Sequence, residues 1–343
     1  MGLRAYTIRR LLLLIPTLIG VTLLVFAVLQ LFDPVERAAL YITDPKQASA
    51  IPEIIEKYHL NAPIHIQYYY WIGEVFHGNL GWSKSIGLRV SDAILQFWPA
   101  TAELVLWSAP VIILLGIRLG VTSAVHKDKT IDHVTRTSSI IGWSLPSFWI
   151  GIILLAVFYG NLGLFPPERL GVAAKVYVTS ESFARYTGIN TIDALLNGQL
   201  WIFFDALKHL VLPVMSLTIQ IVALIIRIMR SSMLESLSKG YIITARAKGL
   251  DENVVINKHA RKNAMIPVFT VTGILLAGML NGIVVTETVF EHKGIGWWAA
   301  NAARSLDIPA VLAFALFTGV IFVIANLIVD ILYARIDPRI RLR

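Results

Sequence analysis

Six apolar runs, each close to the roughly 20 residues a helix needs to cross a bilayer, dominate this chain. They cover about residues 11–32, 101–121, 137–159, 207–226, 265–289 and 308–333. Two soluble domains could fit in 343 residues, but runs this long have no place in soluble cores. In lipid a helix satisfies its own backbone hydrogen bonds, so the pattern predicts an all-α, polytopic membrane protein with six transmembrane helices. Composition agrees, with 56% hydrophobic and 15% charged residues and a mean hydropathy of +0.67. The first run follows Arg9 and Arg10, as a signal peptide would. Its length exceeds a signal core and no small-x-small site follows Phe32, so it is read as a retained span.

The net charge of +8 raises nucleic acid as a partner, and the position of the cations argues against it. Nineteen of the 30 lysines and arginines fall in the N-terminal segment 1–10, around 118–136, in 227–262 and in the C-terminal tail. These segments alternate with the spans on one side. The positive-inside rule then assigns both termini to the cytoplasm of a cell membrane and the longer segments 33–100 and 161–206 to the outside.

The first outer segment is itself patterned. Ile54, Ile55, Tyr58 and Leu60 recur at helical spacing, and IHIQYYYWIGEVF repeats the pattern with aromatics. Tyr68, Tyr69, Tyr70, Trp71 and Phe76 suit contact with a ligand or an outer partner. They equally suit the belt that amphipathic rings form at a membrane interface, the reading preferred here.

Between the fourth and fifth runs, residues 231–269 read SSMLESLSKGYIITARAKGLDENVVINKHARKNAMIPVF. The segment is polar and basic, with Lys239, Arg246, Lys248, Lys258, Arg261 and Lys262, and Arg230 at its edge. Gly249 has the freedom to end a helix in the left-handed conformation, and Asp251 follows as a cap for the next. The pattern predicts helix, sharp turn and helix, a lever that another protein can grip.

Catalytic chemistry is hard to find. The chain has no G-x-x-x-x-G-K-[ST] loop, no H-E-x-x-H and no cysteine, and its eight histidines are scattered. Ser144 and Ser147, in GWSLPSFW, lack the glycine frame of a nucleophile elbow, and Pro146 between them predicts a kink. Ion-coupled carriers place ionisable groups deep in their spans. Here Glu103, Glu287, Arg118 and Arg227 lie near span ends, where snorkelling accounts for them. Gly273, Gly278, Asn281 and Gly282 form a small, weakly polar face in the fifth run. It suits close helix packing or a pore wall, with Asn281, Ser144 and Ser147 as candidate pathway residues. No metal-ligating cluster stands out.

The lever segment resembles the cytoplasmic coupling loop of the permeases of ATP-binding-cassette importers, in its dipeptide/oligopeptide form. Tyr241, Thr244, Ala245, Arg246, Ala247, Lys248, Gly249 and Leu250 match, followed by His259, Ala260, Asn263, Ala264, Ile266 and Pro267. The generic loop begins Glu-Ala-Ala, whereas Ile243, Thr244 and Ala245 stand here, as is usual in the peptide branch. RRLLLLIPTLIGVTLLVF, NLGWSKS, PATAEL, SLPSFWIG, VVTETVFEHKGIG and LIVDILYARIDPRIRL occur in the family's order. The resemblance implies a permease core over 101–343 with the coupling loop at 229–264. Glu235 and 241–250 would engage an ATPase, and His259, Asn263 and Pro267 would support the loop. It also implies a second homologous permease, two ATPase subunits binding ATP and Mg, and an extracytoplasmic solute-binding protein. Cargo would be peptides, oligosaccharides or related solutes. The chain itself would carry no cofactor and no ATPase site. An ion-coupled carrier is the alternative, and a membrane-embedded enzyme lacks converging reactive groups.

Overall fold

A computed structural model describes residues 3–336 apart from Thr43. Arg339, Arg341 and Arg343 of the basic tail lie outside the described residues. The helices in chain order are α1 (Leu3–Leu29), α2 (Pro34–Ala38), α3 (Ile51–Lys57) and α4 (Ile64–Phe76). A two-residue-per-strand hairpin, β1 (Trp82–Ser83) with antiparallel β2 (Leu88–Arg89), precedes α5 (Val90–Val125). Then come α6 (Thr130–Ser144), α7 (Ser147–Leu154), α8 (Val172–Val178), α9 (Asn190–Leu196) and α10 (Leu200–Leu237). The chain continues with α11 (Gly240–Ala247), α12 (Glu252–Val254), α13 (Arg261–Leu280), α14 (Val284–Val289), α15 (Ile295–Arg304) and α16 (Ile308–Ile336).

Five helical segments are long and apolar enough to cross a membrane, in α1, α5, α10, α12–α13 and α16. The bent pair α6 with Ser147–Asn161 makes a sixth. The third run is therefore no simple kinked span: its halves meet at 102°. Pro146 has no N–H to continue the ladder and forces Leu145 out of the helical region, to φ −80° and ψ 137°. Beyond α7 the helix widens into a π-turn over Leu155–Asn161. The fifth run also ends earlier than expected, at Leu280 rather than near residue 289. Gly282 takes φ +107° there and turns the chain into the separate α14.

The centre of the molecule is the pair α5 and α10, of 36 and 38 residues. Their backbones come close because Gly116 and Gly120 offer no side chain. A Cβ on Gly116 would lie 2.7 Å from Ile225 Cβ, and one on Gly120 would lie 2.6 Å from Met229 Cβ. Without a hydrophobic driving force in lipid, such close packing is what holds helices together. Leu104, Ile112, Ile225, Met229 and Met233 fill this core, which runs on through α11 and α13. At its C-terminal end, α1 contributes Val25, Phe26 and Leu29 to a second core with Leu40, Tyr41, Leu60 and Trp71. The outer aromatics divide. Tyr68 bonds Thr22 of α1 (2.8 Å) and Trp71 is buried, whereas Tyr69 and Phe76 are exposed.

Candidate functional site

The lever folds as helix, turn and helix between α10 and α13. Its first helix, α11, turns one narrow face inward at i, i+3 spacing. Ile242 and Ala245 are buried in the core with Val255, Ala260 and Ala264, while Tyr241, Ile243, Thr244 and Ala247 are exposed. Ala245 is thus an anchor under the helix and not part of its outer face. Gly249 follows at φ +75°, and its N–H bonds the Arg246 carbonyl at 2.9 Å. Asp251 Oδ1 then accepts from the Asn253 N–H at 2.8 Å and starts α12. Lys248, Gly249 and Leu250 form the exposed tip.

Arg246 is paired within the chain. Its guanidinium forks onto Glu252, with Nη2–Oε1 at 2.6 Å and Nε–Oε2 at 3.1 Å, and ties the two sides of the Gly249 turn together. Lys248 has no acidic partner among the described residues. Glu235 pairs with Lys239 one turn on, at 3.0 Å on the exposed end of α10. The supporting residues converge: Asn263 Nδ2 donates to the Tyr241 hydroxyl (3.2 Å) and to the His259 carbonyl (3.1 Å). His259 lies in a π-turn over Val255–Ala260. Pro267 sits one turn beyond Asn263 in α13, where it has no N–H for the Asn263 carbonyl. Backbone weakness thus collects where the lever joins the span.

The candidate pathway residues are not brought into contact. Ser144 Oγ donates back to the Ile140 carbonyl at 2.8 Å, ending α6, and Ser147 opens α7 beyond the break. Asn281 caps α13, with its Oδ1 buried and lacking a hydrogen-bond partner among the described residues. Gly273 serves helix packing, since a Cβ there would strike Val329 of α16, while Gly278 faces open space.

Glu103 and Glu287, read as snorkelling side chains, are buried instead. Glu103 takes Arg169 Nη2 at 2.6 Å and the Thr191 N–H at 2.7 Å, which holds the segment 161–206 against α5. Glu287 accepts from the Thr101 hydroxyl (2.7 Å), the Ile283 N–H (3.1 Å) and the Trp297 N–H (2.7 Å). Burial pushes its carboxyl up from the ordinary glutamate range, and these donors pull against that shift. Gly294 and Gly296 leave room for the carboxylate; a Cβ on Gly294 would lie 2.7 Å from Glu287 Cδ. His292 Nε2 donates to the Ala100 carbonyl at 2.9 Å. The 281–307 hairpin is therefore bound to α5. Asp307 similarly holds the β-hairpin, through the Ser83 hydroxyl (2.7 Å) and the Ser85 N–H (2.9 Å). The sequence signal was available: NLGWSKS supplies Ser83 and Ser85, PATAEL supplies Thr101 and Glu103, and VVTETVFEHKGIG supplies Glu287 with its glycines.

On the lever side, Asp132 is buried beneath Arg230, with Nε and Nη2 each 2.7 Å from its oxygens, and takes the Ser123 hydroxyl at 2.5 Å. This joins α5, α6 and α10.

Fold and site together define a polytopic all-α membrane protein with a protruding helical lever between its last-but-two and last-but-one spans. Residues 116–342 match the model of the binding-protein-dependent transport system inner membrane component. The chain belongs to that family and is a permease subunit of a binding-protein-dependent transport system. It is 38% identical over 321 residues to a probable D,D-dipeptide transport system permease protein of Escherichia coli (strain K12), covering 94% of this chain and 93% of the relative. It is 37% identical over 340 residues to an oligopeptide transport system permease protein of Bacillus subtilis (strain 168), covering 98% and 99%. It is 38% identical over 340 residues to a di/tripeptide transport system permease protein of Pseudomonas aeruginosa (strain UCBPP-PA14), covering 98% of each.

Proposed function

We propose that this subunit forms half of the translocation path of an ATP-driven importer of short peptides or closely related solutes. A second homologous permease completes the path, two ATPase subunits bind ATP and Mg beneath it, and an extracytoplasmic solute-binding protein delivers cargo. Both termini and the lever then lie in the cytoplasm, in keeping with the cations that crowd these segments. The peptide reading draws on the names that the relatives carry.

The observation that carries the coupling role is the two-sidedness of α11. Ile242 and Ala245 root it in the core, while Tyr241, Ile243 and Leu250 stand exposed around the Gly249 tip. A mere connector has no need to present apolar side chains to water. An ATPase groove can cover them, and Lys248 is available for an acidic rim. The Arg246–Glu252 fork keeps the tip in one shape, so a pull on it is transmitted and not absorbed. Behind it α10 runs unbroken for 38 residues, about 57 Å, to the outer segment. Closure of the ATPases on ATP would draw two such levers together and favour one of two arrangements of the spans. The buried acids Glu103, Asp132 and Glu287 are committed to fixed partners, which speaks for structural roles over ion coupling.

Affinity purification of the tagged chain from its native membrane tests this reading. ATP hydrolysis should be found only in fractions that also contain ATPase subunits and a second permease. Solute-binding protein loaded with a short peptide should raise the rate. Hydrolysis by the isolated polypeptide, or uptake into vesicles driven by an ion gradient alone, would overturn it.

A further inference from the structure

Two cavities, of about 500 and 480 Å³, lie along the seam between α6 and α10 and share Ser139 and Ile226, so they form one groove. Its two ends differ in chemistry. One cavity is mainly aliphatic, with Val134, Ile141, Ile219 and Val222, and also carries Thr135, Ser138 and Ser139. The end nearer the lever gathers Arg136, Arg227 and Arg230 with Ser231, and no acid lines it. Arg230 is committed to the buried Asp132, but Arg136 and Arg227 have no acidic partner among the described residues.

We infer that this groove holds one anionic phospholipid, its phosphate between Arg136 and Arg227 and an acyl chain along Val222 and Ile219. The depth supports this occupant. The apolar part of α10 covers residues 207–226, about 30 Å of rise, which matches the hydrocarbon thickness. Arg227 comes next, so its guanidinium lies at the level of lipid phosphates. Two uncompensated guanidinium groups suit a phosphate, which accepts their forked N–H donors. Basic pockets between transmembrane helices bind acidic headgroups for this reason. The mainly aliphatic end suits an acyl chain. The seam also matters mechanically: α6 precedes the break at Pro146 and α10 leads to the lever, so the lipid would wedge two elements that move with transport.

The test uses the whole importer in detergent, titrated with short-chain phosphatidylglycerol or phosphatidylcholine and read by native mass spectrometry. Wild type should bind one phosphatidylglycerol in preference to phosphatidylcholine. Arg136→Gln with Arg227→Gln should weaken that binding by about tenfold or more, with subunit stoichiometry unchanged. Val222→Trp, which fills the aliphatic end and leaves the charges, should weaken both lipids. Equal binding of the two lipids, or binding unaffected by these variants, overturns the proposal. A Ser139→Cys variant that cross-links efficiently to the second permease would overturn it too, because protein would then occupy the groove. Displacement of the lipid by transported solute would overturn it in favour of a solute subsite.

Discussion

At Gly249 a single backbone angle shapes the lever tip. The residue has φ +75°, and a Cβ built there meets nothing within 4 Å. Gly249→Val therefore costs conformational energy alone, about 1–2 kcal/mol, without a clash elsewhere. The spans should assemble normally while the turn relaxes and re-aims Lys248 and Leu250. The expected result is normal membrane insertion and binding-protein docking, with ATPase stimulation by loaded binding protein lost or much reduced. Wild-type uptake with intact stimulation would make the segment a connector. Two adjacent isoleucines separate anchoring from docking. Ile242 is fully buried, so Ile242→Ala should cost about 2–4 kcal/mol and make the lever sensitive to limited proteolysis. Ile243 is 64% exposed, so Ile243→Ala should leave proteolysis unchanged and weaken co-purification of the ATPase subunits. Equal behaviour of the two variants would contradict the two-sided helix.

Among the elements, the 281–307 hairpin shows what the sequence makes legible and what it hides. Apolar length predicts spans, because burial in lipid is a property of a run of residues. It cannot see that Gly282 ends α13, since that turn depends on Gly296 approaching from another element, 2.7 Å from a Cβ at Gly282. The kink at Pro146 is legible locally, but its 102° depends on α7 packing over α14, where Gly151 meets Val289. Glu103 and Glu287 read as snorkelling groups because their partners, Arg169 and Thr101, lie 66 and 186 residues away in the chain. The Gly249 turn and the Asp251 cap, being local, were readable. The hairpin also carries a pH dependence. Burial, and then the charge of Arg169, push His292 down from 6.5 to about 4. With Nε2 donating to Ala100, a second proton would go to Nδ1, which is buried without a partner among the described residues. Between about pH 6.5 and 4 the folded state binds fewer protons at this site than the unfolded state, so stability falls as pH falls. His292→Gln retains an N–H donor but does not titrate. The thermal stability of the wild type relative to this variant should therefore fall on acidification through that window. A difference independent of pH would mean that His292 is not held neutral.

For the whole molecule, the main question is which side each segment faces. The six spans and the count of cations predict that the outer segment 161–206 and the lever lie on opposite sides of the membrane. The chain has no cysteine, so any introduced thiol is a unique label. Ser180 sits just past α8 in the outer segment, and Lys258 lies in the π-turn of the lever; both are exposed. Between them run the apolar turns of α10, an odd single crossing, so the two thiols must differ in access whichever way the protein inserts. Ser180→Cys should react with an impermeant maleimide on intact cells. Lys258→Cys should react only after permeabilisation, and less so when the ATPase subunits are bound, because the lever is then covered. Reaction of both from outside would break the single crossing by α10. The reverse pattern would keep the fold and invert the orientation, taking the lever out of reach of any cytoplasmic ATPase.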